Sequence, residues 1–157
     1  MNVTEKIELK PIGLVKRKAT SQSVKDESNI SEIILTEDLI EAVECIEGFS
    51  HLWVIFWMHE LSKRNRKTIK VHPRGRKDMP LLGIFATRTP YRPNPIGLTL
   101  VELLKVDRNV LTVRGLDALD GTPILDIKPF DYWDTTQDVR VPEWWRKLEN
   151  ERVKCLN

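Results

Sequence analysis

The most constraining stretch of the sequence runs from residue 82 to residue 99 and reads LGIFATRTPYRPNPIGLT. It opens with an apolar run over residues 82–86, which predicts a short buried strand, and an alternating strand is predicted from Gly97 onward. Between them, Pro90, Pro93 and Pro95 fix their own φ and push the residues before them towards extended geometry. The sequence therefore predicts a stiff loop between two strands.

This loop also carries the polar side chains Arg88, Arg92 and Asn94. A stiff segment loses little conformational entropy on binding, and guanidinium groups suit anionic or planar ligands. The same composition is typical of a structural connection whose arginines are solvated. Both interpretations stay open at this point.

The sequence predicts strands over most of the remaining chain. A first strand is predicted over residues 7–15, at a sheet edge because Pro11 cannot donate a ladder hydrogen bond. Residues 49–59 form the most apolar segment and predict a strand buried on both faces. Further strands are predicted at residues 33–35 and 123–127, and a hairpin at residues 97–106 and 110–116. Without regular alternation of strands and helices, a mainly β barrel with short helices fits best.

Two helices complete the prediction. The first begins after Thr36 as N-cap and ends at Gly48. The second begins at Pro142 and carries Trp144 and Trp145 on its apolar side. We expect one domain over residues 1–157, with residues 141–157 as a Trp-rich C-terminal helix and no additional C-terminal domain.

Charge and cysteine content limit the class of protein. There are 25 Lys and Arg against 23 Asp and Glu, so the global charge predicts no nucleic-acid surface, and any such surface must be a local patch. The two cysteines, Cys45 and Cys155, lack metal-ligand spacing, which is typical of a reducing cytoplasm. The N-terminus has no apolar signal region, and no stretch approaches membrane-spanning length. We therefore expect a cytoplasmic protein that does not associate with a membrane.

One local basic cluster lies directly after the most apolar segment. It predicts an exposed, mobile loop that could contact phosphates, or an ordinary solvated surface. Its members are Lys63, Arg64, Arg66, Lys67, Lys70, Arg74, Arg76 and Lys77.

Several common catalytic motifs are missing from the sequence. There is no HExxH or CxxC metal motif, no G-x-S-x-G elbow and no glycine-rich phosphate or dinucleotide loop. Polar residues cluster instead at two places. His59 and Glu60 end the apolar segment, where side chains commonly face a cleft. Asp126 and Lys128 lie two positions apart on a predicted strand, so their side chains share a face. Two interpretations stay open: the two residues form an ion pair, or Asp126 accepts a hydrogen bond from a substrate amino group.

The chain resembles the TrmO (YaeB-like) family in three blocks, which read FSHLWVIFWMH, GIFATRTPYRPNPIGLTLVEL and LDALDGTPILDIKPF. The resemblance covers residues 7–130. It implies a single β-barrel domain and an S-adenosylmethionine-dependent methyltransferase. The implied reaction is methylation of N6 of threonylcarbamoyladenosine next to the tRNA anticodon, usually by a homodimer. Trp133, Trp144 and Trp145 also favour a homodimer, because aromatic residues are enriched at interfaces.

The resemblance also implies that individual residues contact the cofactor. The family's Pro-Arg-Gln after the first strand is absent here, and Gln22 stands in that loop. The implied S-adenosylmethionine contacts are His59, Glu60, Arg88, Leu98, Leu116, Asp117, Ala118, Leu119 and Gln22. From the chemistry and position of the residues, and not from the resemblance, we assign Asp126, Lys128 and Asn94 to catalysis. On the same grounds we assign Arg64, Arg66, Lys67, Lys70 and Arg92 to tRNA contacts. No metal ligand is expected.

Two other functions fit the same residues. One is a regulatory protein that binds S-adenosylmethionine without catalysis. The other is a methyltransferase with a non-tRNA acceptor, because a fold does not fix a function.

Overall fold

The computed structural model describes residues 6–17 and 28–154 and is built around a closed barrel of six strands. A separate two-stranded sheet and one C-terminal helix accompany the barrel. The elements are β1 (Gly13–Lys16), β2 (Ile30–Leu35), β3 (His51–Trp57), β4 (Lys70–Val71), β5 (Leu82–Gly83), β6 (Ile96–Asp107), β7 (Val110–Arg114), β8 (Pro123–Pro129) and α1 (Glu143–Lys154).

The barrel order is β1-β2-β7-β6-β3-β8, and β8 returns to β1. All neighbouring strands are antiparallel, so inward and outward side chains alternate along each strand. The inward side chains form one apolar core that includes Ile33, Leu52, Leu111 and Ile124, each fully buried. This architecture confirms the predicted mainly β barrel.

The first strand is shorter and more central than the sequence predicts. β1 contains only four residues, and Ile7 and Leu9 before it are exposed. The predicted edge position is wrong, because β1 pairs with β2 on one side and with β8 on the other. Pro11 lies outside the ladder, so its missing N–H does not limit the pairing.

The predicted helix after Thr36 is wrong in type. Residues Glu37–Val43 and Ile46–Gly48 form two short 3-10 helices instead, and the Thr36 side chain makes no capping hydrogen bond. Cys45 separates them with a φ of 65°, a left-handed conformation that interrupts a regular helix. Gly48 therefore lies inside the second turn.

Two apolar segments also differ from their predictions. β3 alternates between buried and half-buried residues, so it is not buried on both faces; Leu52, Val54 and Phe56 point into the barrel. Residues 82–86 do not form a core strand. Only β5 is extended, and a 3-10 helix at Ile84–Ala86 follows it and leaves Phe85 78% exposed. An apolar run this short has no periodicity that identifies its structure.

The basic segment after β3 contains more regular structure than a loop. Residues Asn65–Lys67 and Pro73–Gly75 form 3-10 turns, and β4 pairs with β5. The segment is thus tied to the stretch that leads into the proline-rich loop.

The predicted hairpin and C-terminal helix are confirmed. β6 and β7 pair across a tight turn in which Arg108 has a φ of 54°. In α1, the N–H groups of Trp145 and Arg146 donate to the Pro142 carbonyl, and Leu148 is buried. Arg76 connects this helix to the basic segment, because its guanidinium pairs with Asp78 and Glu151.

No helix in the described part of the chain has the length and apolarity needed to cross a membrane.

We predict that the Arg76 cluster weakens in acid. Hydrogen bonds from Arg76 lower the pKa of Asp78 to about 2 and also lower the pKa of Glu151. Their stabilising effect is complete above the ordinary carboxyl pKa, near 4, and is lost as the pH falls towards about 2. Urea unfolding should therefore show a steeper loss of stability over this window in the native chain than in Arg76→Gln. Equal slopes would mean that the cluster does not stabilise the fold.

Candidate functional site

A cavity of about 320 Å³ opens at the end of the barrel where β3 stops. Its size is within the range typical of small-molecule sites. Its lining residues come from the end of β3, the proline-rich loop and the connection between β7 and β8. They are Phe56, Met58, His59, Glu60, Leu61, Pro90, Asp117, Ala118, Leu119 and Thr122.

Phe56 forms one wall of this cavity and depends on a glycine opposite it. Phe56 pairs with Gly97 of β6, and both point inward. A Cβ atom added at Gly97 would collide with the Phe56 ring. The glycine therefore leaves the space that the ring occupies.

The proline-rich loop is fastened to the end of β3. The Met58 N–H donates to the Pro95 carbonyl at 2.8 Å, and Pro95 is buried. Inside the loop, Arg92 Nη1 donates to the carbonyls of Thr87 at 3.0 Å and Thr89 at 3.3 Å. The predicted stiffness thus comes from prolines together with an arginine that binds its own loop. Arg92 also lies over the Phe85 ring, 5.6 Å from its centroid.

The connection between β7 and β8 forms the facing wall. It turns at Gly115 and Gly121, whose φ values of 87° and 71° are readily adopted only by glycine. The Gly121 N–H donates to the Val15 carbonyl at 2.8 Å, which anchors the connection to β1. The Asp117 carboxylate accepts a hydrogen bond from the Thr99 hydroxyl.

Polar groups gather at the mouth of the cavity. His59 Nδ1 lies 3.4 Å from the hydroxyl of Thr122, which is buried. His59 and Glu60 are otherwise exposed, as is Asp117. The arrangement combines apolar walls for a flat ring with carboxylates that can accept from hydroxyl or amino groups.

The structure brings together five of the residues predicted to bind the cofactor: His59, Glu60, Asp117, Ala118 and Leu119 line one cavity. Three others lie elsewhere. Arg88 is exposed on the proline-rich loop, Leu98 is 57% exposed on the outer face of β6, and Leu116 is packed in the core. Gln22 lies outside the described residues.

Residues assigned to catalysis do not line this cavity. Asp126 and Lys128 pair in register with Ile55 and Trp53, which alternate with the inward residues of β3 and so face outward. On this outer face, Lys128 Nζ lies 2.9 Å from Asp126 Oδ2, as one of the two sequence interpretations predicts. Asn94 is exposed on the proline-rich loop.

Residues assigned to tRNA lie mainly on the segment that follows β3. Arg64, Lys67 and Lys70 are exposed, whereas Arg66 is half-buried with its guanidinium 5.2 Å from the centroid of the Trp57 ring. Arg92 is half-buried by the loop contacts described above.

Sequence reasoning missed the apolar lining residues Phe56, Met58, Leu61 and Pro90, and also Thr122, whose hydroxyl lies near His59. Phe56 and Met58 flank Trp57 at the end of the apolar segment, and their alternation is the signal that could have assigned one face to a cavity. Arg17 was also missed: it is buried behind the facing wall, and nothing in the sequence around it indicates a buried cation.

A second concavity of about 570 Å³ lies between α1 and residues 78–80. It includes Asp78 and Glu151, which Arg76 holds in ion pairs, and none of the predicted site residues. Within the described residues, no group of three or more His, Cys, Asp or Glu side chains could hold a metal ion.

Comparison with known proteins gives concordant matches. A family model described as the tRNA-methyltransferase O N-terminal domain matches residues 15–135. A "probable S-adenosyl-L-methionine-binding protein" of Methanothermobacter thermautotrophicus is 43% identical over 129 residues, which are 79% of this chain and 90% of that protein. A mouse "tRNA (adenine(37)-N6)-methyltransferase" is 44% identical over 108 residues, which are 68% of this chain but only 24% of that protein.

A solved structure has the same fold. The "crystal structure of TrmO" superposes with a TM-score of 0.70 at 32% sequence identity and covers 87% of this chain. This chain spans 64% of that protein's length. These matches confirm the resemblance that the three sequence blocks predict.

We predict that Gly97→Ala deforms the cavity. The new methyl group would collide with the Phe56 ring, and overpacking of this kind costs about 1–3 kcal/mol. Urea denaturation should report that loss of stability. The matched control is Gly83→Ala, because an added Cβ there meets nothing within 4 Å and should change stability by no more than about 0.5 kcal/mol. Similar effects at the two sites would contradict the role given to Gly97.

Proposed function

This chain belongs to the family of the tRNA-methyltransferase O N-terminal domain, and we propose that it is an S-adenosylmethionine-dependent methyltransferase acting on tRNA. The acceptor we propose is N6 of threonylcarbamoyladenosine next to the anticodon. One observation carries the proposal: the cavity at the end of β3 is lined by His59, Glu60 and residues 117–119, the segments that the family resemblance assigns to the cofactor.

The lining residues fit this cofactor. Phe56 and Leu61 offer apolar surface for an adenine ring, and Pro90 closes the side that faces the proline-rich loop. The carboxylates of Glu60 and Asp117 can accept hydrogen bonds from ribose hydroxyls or from an ammonium group. Asp117 is already oriented by Thr99.

S-adenosylmethionine supplies the methyl group and carries its own leaving group. Methylation of N6 would release a single proton from that nitrogen, so the protein's main task is to hold and align the two reactants. Hydrogen bonds fix the loop at Arg92 and the connection at Gly121, so both sides of the cavity are held before a ligand arrives. Reactants held in this way meet a smaller entropic barrier.

The exposed basic residues after β3 support a nucleic-acid acceptor. Arg64, Lys67 and Lys70 follow the cavity residues His59 and Glu60 within about one dozen positions of the sequence. Phosphates are bound mainly by such cations, and bases in a single-stranded anticodon loop can be splayed out without opening a duplex.

Mass spectrometry of tRNA nucleosides tests the proposed reaction. Purified protein, S-adenosylmethionine and tRNA containing threonylcarbamoyladenosine should yield a nucleoside heavier by one methyl group. The same tRNA with unmodified adenosine is the control for acceptor identity. Unchanged nucleosides, with the cofactor still bound by the protein, would contradict the tRNA reaction.

The second candidate is a protein that binds S-adenosylmethionine without methylating tRNA. It is favoured by the name of the Methanothermobacter relative, which this chain matches over 90% of that protein's length. A methyl group transferred to another acceptor would instead identify a methyltransferase with a different substrate. We also propose that the protein acts in the cytoplasm, where its tRNA substrate is found.

We predict that Arg64, Lys67 and Lys70 contribute to tRNA binding. Changing all three to Gln should weaken binding and reduce its salt dependence by up to about 0.7–0.9 logarithmic units for each phosphate that is no longer neutralised. A matched variant changes Lys10, Lys105 and Arg108, which are equally exposed; Lys105 and Arg108 lie at the β6–β7 end of the barrel. Filter binding at several salt concentrations measures both. Equal losses in the two variants would contradict a local binding surface.

We also predict a homodimer. Trp133 is 93% exposed and Leu98 is 57% exposed, and burial of such side chains drives association. Light scattering at micromolar concentration should give twice the mass of the chain, and Trp133→Ser should weaken the dimer. A single-chain mass for the native protein would refute the prediction.

A further inference from the structure

Phe85 is an exposed aromatic residue on an ordered turn. It lies in the 3-10 helix Ile84–Ala86, and 78% of its surface is exposed, although Ile84 directly before it is buried. The Ile84 N–H donates to the Ile69 carbonyl at 3.1 Å. The N–H and the hydroxyl of Thr87 both donate to the Ile84 carbonyl, at 3.1 Å and 2.9 Å. The backbone on both sides of Phe85 is therefore fixed, while its ring is in contact with solvent.

An arginine covers one face of this ring. The guanidinium carbon of Arg92 lies 5.6 Å from the centroid of the Phe85 ring, a distance at which a cation is attracted to an aromatic face. The same guanidinium donates to the carbonyls of Thr87 and Thr89, so the loop holds it in place. The ring is thus supported on one side, and most of its remaining surface is open to solvent.

This turn lies next to the cavity wall but outside the cavity. Thr89, whose carbonyl Arg92 binds, directly precedes Pro90, and Pro90 lines the cavity. Phe85 is not a lining residue, so its ring belongs to the outer surface of the same loop. A single-stranded RNA that presents one base to the cavity must lay its neighbouring nucleotides across the surrounding surface.

The charges around Phe85 favour a polyanion. Arg88 follows it on the same loop, Lys70 lies in β4, which pairs with β5 just before Phe85, and Lys67 ends the preceding 3-10 turn. All three are exposed, and none forms an ion pair within the part of the chain that the structure describes. From residue 61 to residue 101 the sequence contains one acidic residue, Asp78. Phosphates that approach Phe85 therefore meet cations and little repulsion.

A second exposed aromatic pair has the opposite surroundings. Tyr132 and Trp133 are 92% and 93% exposed on a 3-10 turn that Asp131 and Asp134 cap. These carboxylates repel phosphates. The turn follows the end of β8, which pairs with the start of β3, whereas the cavity lies at the end of β3. Exposure alone therefore does not distinguish Phe85; the nearby cations and the nearby cavity do.

We propose that Phe85 stacks on an unpaired base of the RNA acceptor, beside the nucleotide that is methylated. This contact rests on the proposed tRNA reaction and adds a residue that holds the acceptor by a base rather than by a phosphate. Because every base has a π face, the ring holds the strand without reading its sequence. Arg92 orients the ring, and the exposed cations bind the adjacent phosphates. A second copy of this chain is the competing occupant of the ring.

The test removes the ring and the base separately. Fluorescence anisotropy would measure binding of an RNA hairpin with the anticodon-loop sequence to the native chain, Phe85→Ala and Phe85→Trp. In two further hairpins, the nucleotide on one or the other side of the acceptor adenosine lacks its base. Phe85→Ala should weaken binding of the intact hairpin by about 5- to 150-fold, the range for loss of one stacked base. It should have little effect on one of the abasic hairpins, and Phe85→Trp should keep the native affinity.

Three controls separate stacking from other effects. Tyr132→Ala removes an equally exposed ring that lies beside carboxylates, and it should leave RNA binding unchanged. Phe85→Ala should bind S-adenosylmethionine as the native chain does, because Phe85 does not line the cavity. Exchanging the stacked base for another base should change native affinity far less than removing it, because stacking tolerates any base.

The results that would overturn this contact are distinguishable. Unchanged RNA binding by Phe85→Ala would refute it, and a lower mass of that variant in light scattering would assign the ring to a contact between copies. Equal weakening of the intact and both abasic hairpins would mean that the ring supports the loop without touching a base. An equal loss in Tyr132→Ala would mean that the effect is not local. Failure of the native chain to bind any hairpin would refute the proposed tRNA reaction as well.

A measurement on the native protein does not depend on any variant. Proton NMR resonances of the Phe85 ring should move upfield when the intact hairpin is added, because a stacked base shields the ring. The shift should be lost with one of the two abasic hairpins. No shift with the intact hairpin, or the same shift with all the hairpins, would overturn the stacking contact.

Discussion

The structure depends on the double pairing of β1, which closes the barrel with only four residues. Gly13 pairs with Leu35 of β2 and also with Ile124 of β8. A Cβ at Gly13 would collide with the carbonyl oxygen of Ile34, so the close approach of the strands requires glycine. Beyond Gly13 and Leu14, which pair with β8, Val15 exchanges backbone hydrogen bonds with the turn at Gly121 and Thr122. The strand that closes the barrel therefore also holds the wall of the cavity.

The cavity joins parts of the chain that are far apart in sequence. The end of β3, Pro90 of the proline-rich loop and residues 117–122 meet at one end of the barrel. Each part is held mainly by backbone hydrogen bonds: Met58 to Pro95, and Gly121 to Val15. A site held in this way is formed before the ligand binds, which suits a reaction whose main requirement is alignment.

Much of the fold could be predicted because the sequence signals for these elements are local. The β6–β7 hairpin has a turn between two alternating runs, and α1 begins after Pro142, as the sequence indicates. The errors occurred where tertiary contacts determine the local structure. β1 is short because its length is set by two partner strands. Residues 84–86 form a 3-10 helix and not a core strand, because β5 pairs with β4 outside the barrel.

The site was predictable only in part, for a related reason. His59 and residues 117–119 lie within sequence blocks that resemble the family, Glu60 directly follows the first block, and the structure brings all of them to one cavity. Leu98 and Leu116 lie in similar blocks, but alternation along β6 directs Leu98 outward, and the core takes up Leu116. The role of Arg17 could not be predicted from the sequence. Its guanidinium is buried and donates hydrogen bonds to two carbonyls about one hundred residues away, and neither feature has a local signal.

We propose that S-adenosylmethionine binds in the cavity at the end of β3. Hydrogen–deuterium exchange of the native protein, with and without S-adenosylmethionine, tests this binding most directly. We expect slower exchange on ligand addition in residues 56–61 and 117–122, with little change in α1. Protection confined to α1 and residues 78–80, which line the other concavity, would contradict it.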